Sequence, residues 1–162
     1  MELIYRRMPP NYTLVQTSDW HIGPKNCYMP GIKELVKRIK KKKNCFMAFA
    51  GDSVDAVIAG DKRYASCSME LDNPALSPHE QADVVVDILK PIKKKIVAFG
   101  IGNHEFHHIN TFSIGHYISE KLECPYGAYS YKFIALDKND DPAHRFYLTH
   151  GNGNLPRGAF RS

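Results

Sequence analysis

Hydrophobic and polar positions along the chain switch repeatedly between two periods. Tyr12 to Thr17 (YTLVQT) is short and rich in β-formers, and the polar pair Ser18-Asp19 closes it, which predicts a strand. From Pro30 the period lengthens: Ile32, Leu35, Val36 and Ile39 fall at i, i+3, i+4 and i+7, so a helix with one apolar face is expected, fading into a lysine run. Cys45 to Ala50 is a continuous apolar run ended by Gly51, the mark of a buried strand. Residues 54–76 show no clear period and carry Gly60, Asp72, Asn73 and Pro74, which predicts a long loop with at most one short helix.

Ser77-Pro78-His79-Glu80 has the form of a capping box, with Ser77 as N-cap and Glu80 three residues on, and Ala82, Val85, Val86 and Leu89 supply the apolar face of the helix it opens. Ile96 to Ile101 reads as another buried strand, and a helix is expected from Thr111 to Leu122 with Ile114, Ile118 and Leu122 on one side. Tyr129 to Leu136 and Arg145 to Leu148 predict a hairpin across the turn-rich stretch from Asp137 to Pro142. Strands alternating with helices indicate an α/β domain, parallel at first and antiparallel later.

Size and composition add limits. At 162 residues the chain has the length of one domain, enough to bury a core without a disulfide or a structural metal. A hydrophobic fraction of 43%, a charged fraction of 24% and a mean hydropathy of -0.39 exclude disorder or coiled coil as whole-chain descriptions. The longest apolar run, Cys45 to Ala50, is far short of the roughly 20 residues of a membrane-spanning helix. The N-terminal MELIYRRMPP lacks the apolar core of a secretory signal, and Cys27, Cys45, Cys67 and Cys124 form no C-x-x-C pair. A cytoplasmic protein with free, inert thiols and no membrane partner is expected.

The net charge of +5 is concentrated in Lys37, Arg38 and Lys40 to Lys43, and in Lys93 to Lys95. Such clusters can hold nucleic-acid phosphates. They equally suit solvated helix ends, where cations complement the helix dipole. Neither run is interleaved with aromatics as a single-strand platform would be, so helix ends are favoured and nucleic acid stays open as a partner.

The chemistry gathers just after the predicted strands. Asp19-Trp20-His21 follows the first, Gly51-Asp52 and Asp55 the second, Gly102-Asn103-His104-Glu105 the third, and His150-Gly151 the last. The carboxyl ends of strands in an α/β sheet form the crevice where ligands bind, so these residues would share one rim. Carboxylate, imidazole and amide oxygen together suit Mn, Fe or Zn. In Asp19-x-His21 both side chains leave the same face of an extended segment, so one ion takes both. An Asp after a strand-end Gly can bridge a second ion, and two ions about 3.5–4 Å apart clamp an in-line displacement at phosphorus.

With these four segments in order, the chain resembles the calcineurin-like metallophosphoesterases, binuclear-metal phosphatases, phosphodiesterases and nucleases built as a sandwich of mixed sheets flanked by helices. The resemblance implies a phosphoester hydrolase with two divalent ions, Mn first and Fe or Zn as alternatives, and a bridging hydroxide as nucleophile. It implies Asp19 and His21 as ligands of one ion, Asp52 as the bridge, and Asn103 and His150 as ligands of the other. His104 becomes the residue that hydrogen-bonds the phosphoryl group or protonates the leaving oxygen, with Asp55 orienting it. The family's later G-H-x-H segment has no counterpart, since Gly151 to Ser162 contains no histidine. A single domain over 1–162, C-terminally truncated, is therefore expected, with three protein ligands per ion and a second sheet cut short after its first hairpin. The missing segment also motivates an alternative, a catalytically weak or inactive domain serving as a scaffold or nucleic-acid-binding module.

Four further features stay open on sequence grounds. Trp20 would either stack on an aromatic leaving group or pack the loop. His107 and His108 would line the substrate mouth or lie on a surface loop, and Lys62, Arg63 and Tyr64 would contact phosphate or base. His79 and His144 receive no role.

Overall fold

A computed structural model describes residues 1–24, 27–57, 77–106 and 113–151. Strand β1 (Glu2–Arg7) is followed by β2 (Thr13–Thr17), helix α1 (Met29–Lys41), β3 (Cys45–Ala50) and α2 (Pro78–Leu89). A 3₁₀ helix (Lys90–Lys95) leads into β4 (Ile96–Gly100), after which come the short α3 (Asn103–Phe106), α4 (Ile114–Leu122), β5 (Tyr126–Ala128), β6 (Ser130–Leu136) and β7 (Pro142–Thr149). A four-stranded parallel sheet has the order β2-β3-β4-β5, and a three-stranded mixed sheet has the order β1-β6-β7.

The two sheets and the helices stack in three layers, and alternation along the strands explains why. From β3, Cys45, Met47 and Phe49 enter a core with Ile32, Val36 and Ile39 of α1, Val85 and Leu89 of α2, and Ile118 and Leu122 of α4. Ala48 points the other way, into a second core with Ile4, Tyr131, Phe133, Ala135 and Leu148. Val97 and Ala98 of β4 both join that second core, because the β3–β4 register slips by one between Met47 and Ala48. Small alanines on this face leave room for the large Tyr131 and Phe133 of the opposite sheet.

The helix boundaries follow their signals. Ser77 and Glu80 make both bonds of the capping box. Arg38, Lys40 and Lys41 occupy the last turn of α1, and the Lys95 ammonium donates to the carbonyls of Ile39, Lys40 and Lys42 just beyond it, at 2.8, 3.2 and 2.6 Å. Lys93 pairs with Glu123. These contacts support the helix-end reading of the basic runs. Cys45 is buried, and burial pushes the Cys124 thiol up to about 11, as an inert thiol requires. No helix among the described residues is long and apolar enough to cross a membrane.

One strand and one residue stand differently from the sequence reading. Besides its hairpin, the second sheet holds a strand that the sequence pattern does not announce: β1 pairs in parallel with β6, Ile4 opposite Phe133, and makes it three-stranded. Only Ile4 of ELIYRR turns toward the core, while Leu3 and Tyr5 are more than half exposed, so the segment lacks the alternation of a half-buried strand. His144 lies within β7 rather than in the turn, beside Tyr12. The α4 helix is described from Ile114, and Thr111, like most of the 54–76 loop, lies outside the described residues.

The Tyr131 hydroxyl on β6 donates to the Phe49 carbonyl on β3 at 3.0 Å, a hydrogen bond between the sheets, and burial raises its pKa. Tyr131→Phe removes it without changing the packing. A destabilisation of about 1 kcal/mol is expected in urea unfolding, with a melting shift of about 2–4 °C; an unchanged midpoint would show that the bond contributes nothing to sheet association.

Candidate metal centre

The loops after β2 and β3 are zipped together beyond the ends of their strands. Asp19 N–H donates to the Gly51 carbonyl, His21 N–H to Asp52, Ile22 N–H to Ser53, and Asp55 N–H back to Ile22, all at 3.0–3.1 Å. Asp19 and His21 do not sit on an extended segment as expected. Both have left-handed backbones, φ 57° and 45°, conformations that Asp and His tolerate better than most side chains. Trp20 between them is driven inward, its ring edge on Phe49 at 4.9 Å and its indole N–H on Thr17 Oγ1 at 2.8 Å. Packing is therefore its role, and its burial sends both neighbours outward, with His21 Nε2 3.8 Å from Asp19 Oδ1.

Asp52 is held from three sides. It too is left-handed, at φ 55°, after Gly51 at φ 103°, where a Cβ would meet the Gly102 nitrogen at 2.4 Å. A Cβ on Gly102 would meet Asp52 Oδ1 at 2.1 Å, so the two loops touch through bare backbone. Asp52 Oδ1 accepts from His104 N–H at 3.0 Å, which leaves Oδ2 facing the imidazoles. Beneath them lies the Glu105 carboxylate, only 1% exposed. It accepts from Gly102 N and Asp52 N on one oxygen and from Ser53 N and Ser53 Oγ on the other, at 2.6–3.0 Å.

Three imidazole rings surround Asp52 Oδ2. His150 Nε2 stands 3.0 Å from it, His21 Nε2 3.9 Å and His104 Nε2 4.0 Å. The opposite ring nitrogens are tethered. His150 Nδ1 donates to the Ala50 carbonyl at 3.0 Å, and His104 Nδ1 donates to the Asp55 carbonyl at 2.6 Å. The Asp55 carboxylate lies between two rings, 3.4 Å from His104 Nδ1 and 3.7 Å from His21 Nδ1. Asp55 thus stands beside two histidines, and it lies closer to His104 through its backbone oxygen than through its carboxylate.

Two sets of side chains bring ligand atoms within 4.8 Å of one another: Asp19, Asp52 and His150, and His21, Asp52 and His104. The donor chemistry fits divalent cations. With Nδ1 of His150 committed to the Ala50 carbonyl, its Nε2 is the ring nitrogen turned toward Asp52 Oδ2, and Asp19 adds a second carboxylate to the same group, a set of oxygen and nitrogen donors that suits a divalent cation. Asp52 belongs to both sets, as a bridge must. Asn103 opens α3 with its side chain exposed, next to His104. His107, His108, Lys62, Arg63 and Tyr64 lie outside the described residues. His79 faces Tyr117 and Asp83 instead.

Gln81 of α2 escaped the sequence reading. Its side chain is buried, accepts from Ala56 N–H at 2.9 Å, and lies where a Cβ on Gly23 would touch it. It thereby braces both loops just past their ligands. The available signal was its position: Gln81, Val85 and Leu89 share one helical stripe, so a polar residue there must be buried.

A family model described as calcineurin-like phosphoesterase matches residues 12–159, from β2 through the last strand. No curated protein and no solved structure matches the chain.

Glu105→Gln would turn an amide NH₂ toward backbone N–H donors and strand two of them. A loss of roughly 2–3 kcal/mol is expected in urea unfolding, the scale of charge-assisted buried hydrogen bonds. Manganese affinity should fall in the same variant because Asp52 loses its seat; native affinity with native stability would show that Glu105 is not the anchor.

Proposed function

Because the chain belongs to the calcineurin-like phosphoesterase family, we propose that it hydrolyses phosphomonoesters or phosphodiesters with two divalent ions, Mn in the first instance and Fe or Zn as alternatives. The observation that carries this reading is Asp52 Oδ2 at the meeting point of two ligand sets drawn from four separate strand ends. The family resemblance makes Asp52 the bridge, with Asp19 and His21, 3.8 Å apart, on one ion and Asn103 and His150 on the other, whereas the side chains as they stand group Asp19 with His150 and His21 with His104 around Asp52. When bound, the ions supply Lewis-acid polarisation of the phosphoryl group and lower the pKa of water.

The protein's own groups do the rest. Tethering His150 Nδ1 to the Ala50 carbonyl fixes the tautomer with Nε2 free to ligate. His104 has the same arrangement on Asp55, so a proton carried on its Nε2 points into the centre and can pass to the leaving oxygen. The Asp55 carboxylate beside His104 Nδ1 stabilises the imidazolium before the transfer. The domain over residues 1–162 carries all of these groups.

The His21, Asp52 and His104 grouping favours a second role for His104, as a ligand. One experiment separates the roles. Calorimetric titration with Mn is paired with hydrolysis of an activated aryl phosphomonoester and diester. Asp52→Asn should lose both binding events and all metal-stimulated hydrolysis. His104→Ala should keep Mn binding while kcat falls by about 10²–10⁴ if it is the acid, and should lose one binding event if it is a ligand. Full activity in Asp52→Asn would overturn the assignment.

A further inference from the structure

The aromatic residue that borders the centre is not Trp20, which is buried, but Phe106. It lies two residues after His104 and is 52% exposed. A row of rings leads from it to the ligands. Phe106 meets Tyr129 at 6.1 Å and 78°, and Tyr129 meets His150 at 6.0 Å and 83°, each edge to face. Tyr129 is fixed in this row because its hydroxyl donates to the Gly151 carbonyl at 2.9 Å.

Among the described residues, the other large exposed hydrophobic side chains are Met1, Leu3, Tyr5, Tyr28 and Tyr147, and none is joined through a ring contact to Tyr129 or to a candidate ligand as Phe106 is. An exposed phenylalanine joined to a polar, anion-attracting centre is placed to receive an apolar planar group rather than to complete the core. Phe106 stands two ring contacts out from His150, so a ring bonded directly to the ester oxygen would reach Tyr129 first. A ring carried on a sugar-sized spacer reaches Phe106.

Resting on the hydrolase reading above, we propose that Phe106 and Tyr129 form a stacking rim for a nucleobase, and that the substrates are nucleotides or their esters. Phosphate is held at Asp52 and its partners, the sugar crosses His150, and the base lies on the rim.

The test is equilibrium binding by calorimetry in saturating Mn, which does not depend on turnover. The methylenephosphonate analogues of adenosine monophosphate and of ribose 5-phosphate, which have no hydrolysable ester bond, are compared because they differ only in the base. Wild type should bind the nucleotide about tenfold more tightly, the scale of base stacking on an aromatic side chain. Phe106→Ala should bring the ratio close to one and Phe106→Trp should keep it, while Tyr147→Ala, on the remote sheet face, should leave it at the wild-type value. Equal affinities in wild type, a ratio indifferent to Phe106→Ala, or a ratio that collapses equally in Tyr147→Ala would each overturn the rim. A different failure, with Mn bound but neither compound nor inorganic phosphate binding, would overturn the hydrolase reading itself and the rim with it.

Discussion

The buried carboxylate of Glu105 is the constraint from which the centre is built. A charged group in the core is costly unless its oxygens are saturated, and the donors that saturate these belong to two loops far apart in sequence: Gly102 on one, Asp52 and Ser53 on the other. The loops can approach so closely only because Gly51 and Gly102 present no side chains where they touch. Burial of one acid thus fixes the distance between the ends of β4 and β3. Within that frame the Asp52 backbone is held in a left-handed turn that a free chain would seldom adopt.

The same economy governs the first loop. Trp20 needs a partner for its indole N–H and a surface for its ring, and finds both in Thr17 and Phe49. Sinking it into the core turns the backbone left-handed on either side and exposes Asp19 and His21. An apolar anchor between two polar residues therefore directs them. Gln81 completes the arrangement from the helical layer, where its amide oxygen receives a loop N–H that would otherwise be buried unpaired. The groups that converge above these supports are two carboxylates and three imidazoles, and their fit to a divalent cation follows from that combination rather than from any single residue.

Much of this was legible in the sequence because the relevant signals are local. Capping residues, helical stripes and apolar runs placed α1, α2, β3, β4 and the hairpin, and the polar residues after each run marked the strand ends. Two kinds of information were not local. Strand β1 is recruited by β6, more than a hundred residues away, and buries one side chain facing that core, so its own pattern carries little trace of pairing. The tethers of His104 and His150 run to main-chain carbonyls, which every residue possesses and no motif can specify. Glu105 was visible as part of a tetrapeptide, yet its work is done on the backbone of another segment. Gln81 carried a weaker signal, a polar residue on a helical stripe that must be buried.

His150 differs from the other groups around Asp52 in where it comes from. Asp19, His21, Asp52 and His104 follow strands of the parallel sheet, whereas His150 follows β7 of the mixed sheet and reaches across to the Ala50 carbonyl. A cation held between His150 and Asp52 would consequently also be a rivet between the two layers, parallel to the hydrogen bond from Tyr131 to Phe49. Sliding one sheet over the other would open the ligand cage, and filling the cage would resist the slide. The interior packing of small alanines against Tyr131 and Phe133 sets the spacing of the two layers that this joint spans.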